Sequence, residues 1–255
     1  MATYKKRGGK PTTKAEKETS IEEDSTTASI VNTLDGGASR TEEWVIKNQK
    51  YIFVIIVLAA AIVLGYLGFN KFIQEPKEIQ ATNDMFQSQQ YFDQAVNGTS
   101  KDSLFTLALN GADGKYGFLD IADVYGGSKA GNLANYYAGM SYLNMKDYTN
   151  AVTYLNAFSS DDDVLGPIAK GGIGDAFVQL EQLDDAYDYY VQAAKLKSNN
   201  YTTPMYLYKA GVIGLKLEKF SKALGFFNEI KSAYPDSTEA KDIDVFIGKA
   251  EAAIN

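Results

Sequence analysis

Three times between residues 138 and 227 the chain repeats one arrangement: a glycine in an apolar stretch, an alanine twelve positions on, and a large side chain four positions after that. Gly139, Ala151 and Leu155 form the first set, Gly174, Ala186 and Tyr190 the second, and Gly211, Ala223 and Phe227 the third, with the alanines 35 and then 37 residues apart. A unit of that length accommodates two short helices and two turns. A single such unit cannot bury its own apolar face, so identical units must stack. Small residues at the glycine positions let the first helix of each pair approach the second, and the alanines let the second pack back. Bulky neighbours such as Tyr142, Phe177, Tyr154, Tyr190 and Phe227 then fill the seams.

The turns fall where the units need them, at Met145-Lys146-Asp147, Leu180-Glu181-Gln182 and Leu217-Glu218-Lys219. Each precedes an apolar residue, Tyr148, Leu183 or Phe220, placed to staple the second helix. This spacing is close to the 34-residue tetratricopeptide pattern, and Pro235 stands twelve after Ala223, where that pattern closes a repeat. The third unit departs from the others: Gly214 stands where Tyr142 and Phe177 lead one to expect an aromatic ring. On either side lie atypical ends. A polar-rich helix over about 75–96 carries Met85, Phe86, Tyr91 and Phe92, and a closing helix over 242–254 carries Ile243, Phe246, Ile247 and Ala250. Between the first end and the array, residues 110–114 form a turn cluster and 115–125 a helix belonging to a degenerate first repeat. No stretch has strand period.

A second feature limits the chain's surroundings. Residues 51–69 are nineteen positions without a charge, interrupted only by Gly65 and Gly68. As a helix they measure ~28 Å, close to the ~30 Å hydrocarbon core of a bilayer. Trp44, Tyr51 and Tyr66 lie near the ends, where such rings favour the membrane interface. A cleaved signal peptide would have a short charged leader, a shorter apolar stretch and a small-residue cleavage site, none of which fits, so the expectation is an uncleaved anchor. Arg40, Lys47 and Lys50 before it and Lys71 and Lys77 after it, with the basic run Lys5, Lys6, Arg7 and Lys10, place the N-terminus inside. The expected organisation is a disordered cytoplasmic tail over 1–43, a transmembrane anchor with its flanks over 44–72, and an extracytoplasmic repeat domain over 73–255. The fold class is all-α: one N-terminal transmembrane helix, then a tetratricopeptide-like helical-repeat solenoid.

Composition excludes much chemistry. The chain has no cysteine and no histidine. Disulfides, thiolate or imidazole metal sites, and nucleophilic pairs that use His or Cys are therefore ruled out. Residues 71–255 carry a net charge of about −8 and no arginine, so they lack the basic face that nucleic-acid binding requires. Asp161-Asp162-Asp163 lacks the ligand spacing of a calcium loop and reads as a solvated loop between repeats. Asp184 and Asp185 open a helix, where they offset its dipole. The expectation is no catalytic, metal or cofactor residue. What remains is a binding surface. Aromatics and amides that do not fill the seams of a helical solenoid line its concave face, and Asn135, Tyr137, Asn144, Tyr189 and Lys209 are the candidates for a peptide groove.

With the anchor and residues 130–236 in view, the layout resembles the YfgM-like ancillary subunits of the SecYEG translocon in their Bacteroidota form. Gly139, Tyr142, Ala151, Gly174, Phe177, Ala186, Gly211, Ala223 and Pro235 carry the resemblance, and the stretch Asn132-Leu133-Ala134-Asn135-Tyr136-Tyr137-Ala138-Gly139 adds to it. The chain departs from the pattern in having Pro235 as its only closing proline. The resemblance implies a non-enzymatic accessory at the bacterial inner membrane with a periplasmic domain. Its implied partners are translocon subunits, periplasmic chaperones or nascent secreted chains. A repeat-containing receptor facing the cytosol, or an envelope or division assembly factor, is the alternative.

Overall fold

The computed structural model describes residues 26–98 and 101–254, with side chains from Glu42 onward. The chain divides into two compact units at Phe69. The division falls three residues before the expected anchor boundary.

The first unit is one helix, α1 (Thr26–Phe69). Residues 1–25 of the expected tail, with its basic run, lie outside the described residues. Residues 26–43 form the first part of this helix. No proline interrupts the chain from Thr26 to Phe69, and a helix already nucleated by an apolar run extends at little cost. Nearly all large apolar side chains from Tyr51 to Phe69 are exposed around the helix, so this stretch of α1 has no polar face and, among the described residues of the unit, no covering partner. It is long and apolar enough to cross a membrane.

The second unit opens with a π-helical turn over Asn70–Gln74. Pro76 has no N–H to give to Phe72 and its ring crowds that carbonyl, and the wider turn lies where this conflict would arise. The rest is α2 (Glu75–Asn97), α3 (Lys101–Asn110), α4 (Phe118–Val124), α5 (Lys129–Asn144), α6 (Tyr148–Ala157), α7 (Leu165–Gln179), α8 (Leu183–Leu196), α9 (Thr202–Lys216), α10 (Phe220–Ala233) and α11 (Ile243–Ile254). There is no strand among the described residues.

Helices α5/α6, α7/α8 and α9/α10 are the three expected hairpins, and each packs on the next. α2 and α3 form a further hairpin, which with α4 packs on α5. α3 was not expected, and α4 starts three residues later than expected. Gly117 caps it, and its N–H donates to the Asp120 carboxylate.

The hairpins are built alike. After each first helix the chain closes a Schellman turn, in which the N–H of Asp147, Gln182 or Lys219 donates to the carbonyl of Tyr142, Phe177 or Gly214. The residue before it, Lys146, Glu181 or Glu218, takes φ of 65°, 60° or 58°. Side chains thus occupy a left-handed position that glycine adopts without strain. The first helices are also capped alike: Gly131 N–H donates to Ser128 Oγ at the start of α5, Leu165 N–H to Asp162 at α7, and Thr202 N–H to Asn199 at α9. Glu78 of α2 accepts from the N–H groups of Lys129 and Ala130 at 2.8 and 2.7 Å, so one carboxylate both caps α5 and joins α2 to the array.

The glycines of the repeat each face one particular side chain of the second helix. A Cβ on Gly139 would fall 2.5 Å from Leu155 Cγ, one on Gly174 2.7 Å from the Tyr190 ring, and one on Gly211 2.4 Å from the Phe227 ring. Each glycine therefore makes room for the large side chain sixteen residues on, while Ala151, Ala186 and Ala223 are fully buried beside it. Pro235, read as the closing proline of the third repeat, is exposed just after the end of α10.

Candidate functional site

In the first two repeats a ring on the first helix meets a ring twelve residues later on the second. Tyr142 stacks on Tyr154 with centroids 5.5 Å apart, and Phe177 meets Tyr189 at 5.4 Å. The corresponding pair in the third repeat is Gly214 and Phe226. Without a ring at Gly214, Tyr187 from α8 comes to within 3.4 Å of where its Cβ would be, and Phe226 packs at 6.2 Å from Tyr187. The third repeat is thus locked to the second by a borrowed aromatic. Lys219 lies 4.4 Å above that ring and is tied to Asp184 of α8 at 2.7 Å, a bond that raises its pKa. This is the same dipole-facing Asp184 read from the sequence.

On another face of α9, Tyr208, Lys209, Val212, Ile213 and Lys216 recur at helical spacing and form the wall of a groove of about 460 Å³. Val178 of α7, Tyr190 of α8 and Phe246 of α11 complete it. The lining is mostly apolar, with two lysines, Lys209 and Lys216, among it. These residues converge because α7, α9 and α11 follow one another along the stack, with the closing helix α11 packed on α10. Phe246 is fixed between Tyr208 and Phe227, with centroids at 5.0 and 5.5 Å. A second depression of about 440 Å³ lies across Tyr208 and Phe246 and is lined by Thr238, Glu239 and Asp242. Beyond the Tyr208–Phe246 ridge the character therefore changes from apolar and basic to acidic.

The two lysines differ. Lys209 donates to both oxygens of Asp175 at 2.6 and 2.9 Å, and its ammonium lies 5.5 and 5.7 Å from the Tyr190 and Tyr206 rings. Tyr190 OH donates to the same carboxylate. Burial, with the Asp175 charge second, pushes both phenols above their ordinary range. Asp175 of α7, Tyr190 of α8 and Lys209 with Tyr206 of α9 are thus one bonded cluster across two repeats. Lys216 is exposed and has no ion pair among the described residues.

Of the residues read from the sequence as groove candidates, Lys209 lines this groove. Tyr137 is stacked on Phe118 at 5.0 Å and meets Phe92 edge-on at 5.0 Å, in the core beneath α2. Tyr189 packs on Phe177, lies under Lys170 and bonds Asn156 at 3.1 Å, on the seam between second helices. Asn135 and Asn144 turn back onto their own helix, donating to Gly131 and Met140. Val178, Val212, Ile213 and Phe246 were missed. A signal for Val178 and Val212 was present: each is apolar on a first helix, close to the repeat glycine, yet outside the repeating set. In the acidic run, Asp162 accepts from Val164 and Leu165 N–H at 2.8 Å. The Leu165 bond, then the Val164 bond, hold its carboxyl below the usual range, which is what a helix cap requires. Among the described residues no group of three or more acidic side chains is arranged to hold a metal ion.

No curated protein matches the chain. The family model of the tetratricopeptide repeat matches residues 133–162, which is most of α5, all of α6 and part of the loop after it, and the hairpins α7/α8 and α9/α10 continue the same helical-repeat arrangement.

Proposed function

We propose that this chain is a membrane-tethered scaffold whose groove between the third repeat and the closing helix receives an apolar side chain of a protein partner. The observation that supports it is the groove itself: open apolar surface beside an unpaired lysine, in the repeat that departs from the common pattern. A partner segment with an apolar residue next to an acidic one suits Val212 and Lys216, and a basic residue further along suits Glu239 and Asp242. The apolar helix α1 holds the array near a bilayer. The lysine and arginine bias supports a cytoplasmic N-terminus and a periplasmic repeat domain at a bacterial inner membrane. There the partners are emerging secreted chains or the chaperones that carry them, with the translocon as neighbour.

Purification of the full chain in mild detergent, followed by mass spectrometry, tests the reading. Translocon subunits and secreted proteins are expected with the wild type, and loss of the partner from Val212→Asp, whose helicity by circular dichroism should be unchanged. Division proteins in place of translocon subunits would contradict the translocon assignment, and a partner set indifferent to Val212→Asp would contradict the groove. Protease digestion of residues 73–255 from the cytoplasmic side alone would overturn the orientation.

A further inference from the structure

We infer that the segment received by this groove is an amphipathic helix and not an extended strand. The inference rests on the groove reading proposed above and adds to it the conformation of what binds. An extended segment pairs none of its own main-chain N–H and C=O groups. Laid in a groove, it loses free energy at each group that leaves water and finds no partner. This groove supplies almost no such partners. Its walls are helices, whose main-chain groups pair along their own axes. Near the helix ends the same holds: the carbonyls of Val178 and Ile213 accept from the N–H groups of Glu181 and Leu217 at 3.2 and 3.0 Å. Val178, Val212, Ile213 and Phe246 have no polar side-chain atom. Tyr190 OH and the Lys209 ammonium are both spent on Asp175. The Tyr208 hydroxyl and the Lys216 ammonium remain, and the described lining holds no asparagine or glutamine, the side chains that both donate to and accept from a peptide unit. A helix brings its main-chain pairing with it and asks of the groove only apolar surface and matching charge.

Both are laid out with helical spacing. Tyr208, Val212 and Lys216 stand on successive turns of α9, so about 12 Å of that helix separates the first from the last. Past Tyr208, Glu239 and Asp242 line the adjoining depression, and neither carboxylate has an ion pair among the described residues. Both lie close enough to Tyr208 for their charges, after burial, to push its phenol up. A helix lying along this stripe sets an acidic side chain against Lys216. An apolar one follows a turn away against Val212 and Val178, and a basic one a further turn or two on, against Glu239 and Asp242. In residue spacing that is an acid at i, apolar groups at i+3 or i+4 and at i+7, and a base from about i+8 to i+11. An acyl chain would suit the apolar wall and Lys216 but leave both carboxylates unmatched. Charge complementarity therefore selects a helix of a protein over a lipid.

Peptide display on the full chain in nanodiscs tests the inference. A library of random peptides of ~16 residues, about four turns of helix, is selected on the wild type and counter-selected on Val212→Asp, with circular dichroism reporting the fold of the variant. Sequences kept by the first and lost on the second are expected to carry the spacing of acid, apolar groups and base given above. A single proline at the centre of such a peptide should weaken binding by at least about tenfold, because it breaks a helix but not an extended segment. With Lys216→Glu the preference at the first position should invert from acidic to basic, and an unchanged preference would overturn the alignment. Val212-dependent peptides that alternate polar and apolar residues, or that tolerate the central proline, would overturn the helix and leave the groove reading intact. If no peptide distinguishes the wild type from a folded Val212→Asp, the groove reading fails and the helix fails with it.

Discussion

The first two repeats and the third keep the same lock and differ in what surrounds it. In all three a glycine on the first helix receives the large residue sixteen positions on. In the first two, an aromatic pair then closes the hairpin from within. In the third that pair is missing, Tyr187 of the preceding repeat takes its place, and an open apolar groove lies on another face of the same first helix. The glycine lock is what makes the units stack. The position that the lock does not need is free to vary, and there the third repeat is tied to its neighbour instead of to itself.

The largest expected effect comes from breaking the lock. Gly174→Ala and Gly211→Ala each force a Cβ to within 2.7 Å or less of a buried ring, and each should cost about 1–3 kcal/mol or more in chemical denaturation. Gly225→Ala, on α10 with nothing within 4 Å, should instead stabilise by roughly 0.5–1 kcal/mol. A gain at all three positions would show that helix propensity outweighs the lock and that the close approach does not set the cost.

The borrowed aromatic gives the next effect. Gly214→Tyr restores the ring of the other repeats but meets Tyr187, so it should destabilise by about 1–3 kcal/mol. In a Tyr187→Ala background the same change should be milder, with a coupling of at least ~0.5 kcal/mol in a double-mutant cycle. Additive behaviour would mean that Tyr187 does not substitute for the missing ring.

The contrast between lock and surroundings also explains what the sequence discloses. Glycine and alanine in register, together with the turn residues, made the three hairpins legible, because each signal is local and occurs three times. Which side chain the glycine receives was not legible. Helix hairpin geometry, which spacing alone does not supply, decides between Ala186 and Tyr190 as the neighbour of Gly174. α3 escaped notice because ten residues with Leu104, Phe105, Leu107 and Leu109 are too few for a clear helical period. The groove was the hardest feature. Its walls join Val178 to Phe246 across two hairpins, and Tyr137 and Tyr189, read as groove residues, are among tyrosines whose burying face only the packing reveals.

A smaller effect bears on what the repeats share. Lys146→Gly, Glu181→Gly and Glu218→Gly relieve a left-handed position in every repeat alike, and each should raise stability by up to about 1 kcal/mol, read as a higher melting temperature. A gain confined to one repeat would break the equivalence of the three turns.

The smallest effect at neutral pH comes from the buried phenols. Burial pushes Tyr136 up to about 12 from an ordinary value of 10.0. The folded state therefore holds this proton where the unfolded state releases it. The associated stability is complete below pH 10 and is lost as pH rises from 10 towards 12. Tyr136→Phe should leave stability near pH 7 almost unchanged and flatten its fall between pH 10 and 12, measured by denaturant titration at each pH. An unchanged slope would show that the fall has another source.

The central claim is that the groove of the third repeat, and not the repeat array at large, meets a protein partner. A photo-crosslinking amino acid placed at Val212 in living cells, with Thr153 on α6 as the comparison position, tests it most directly. The account predicts discrete protein adducts from Val212 and none from Thr153. Equal labelling at both positions, or adducts from Val212 only to lipids and neighbouring copies, would contradict it.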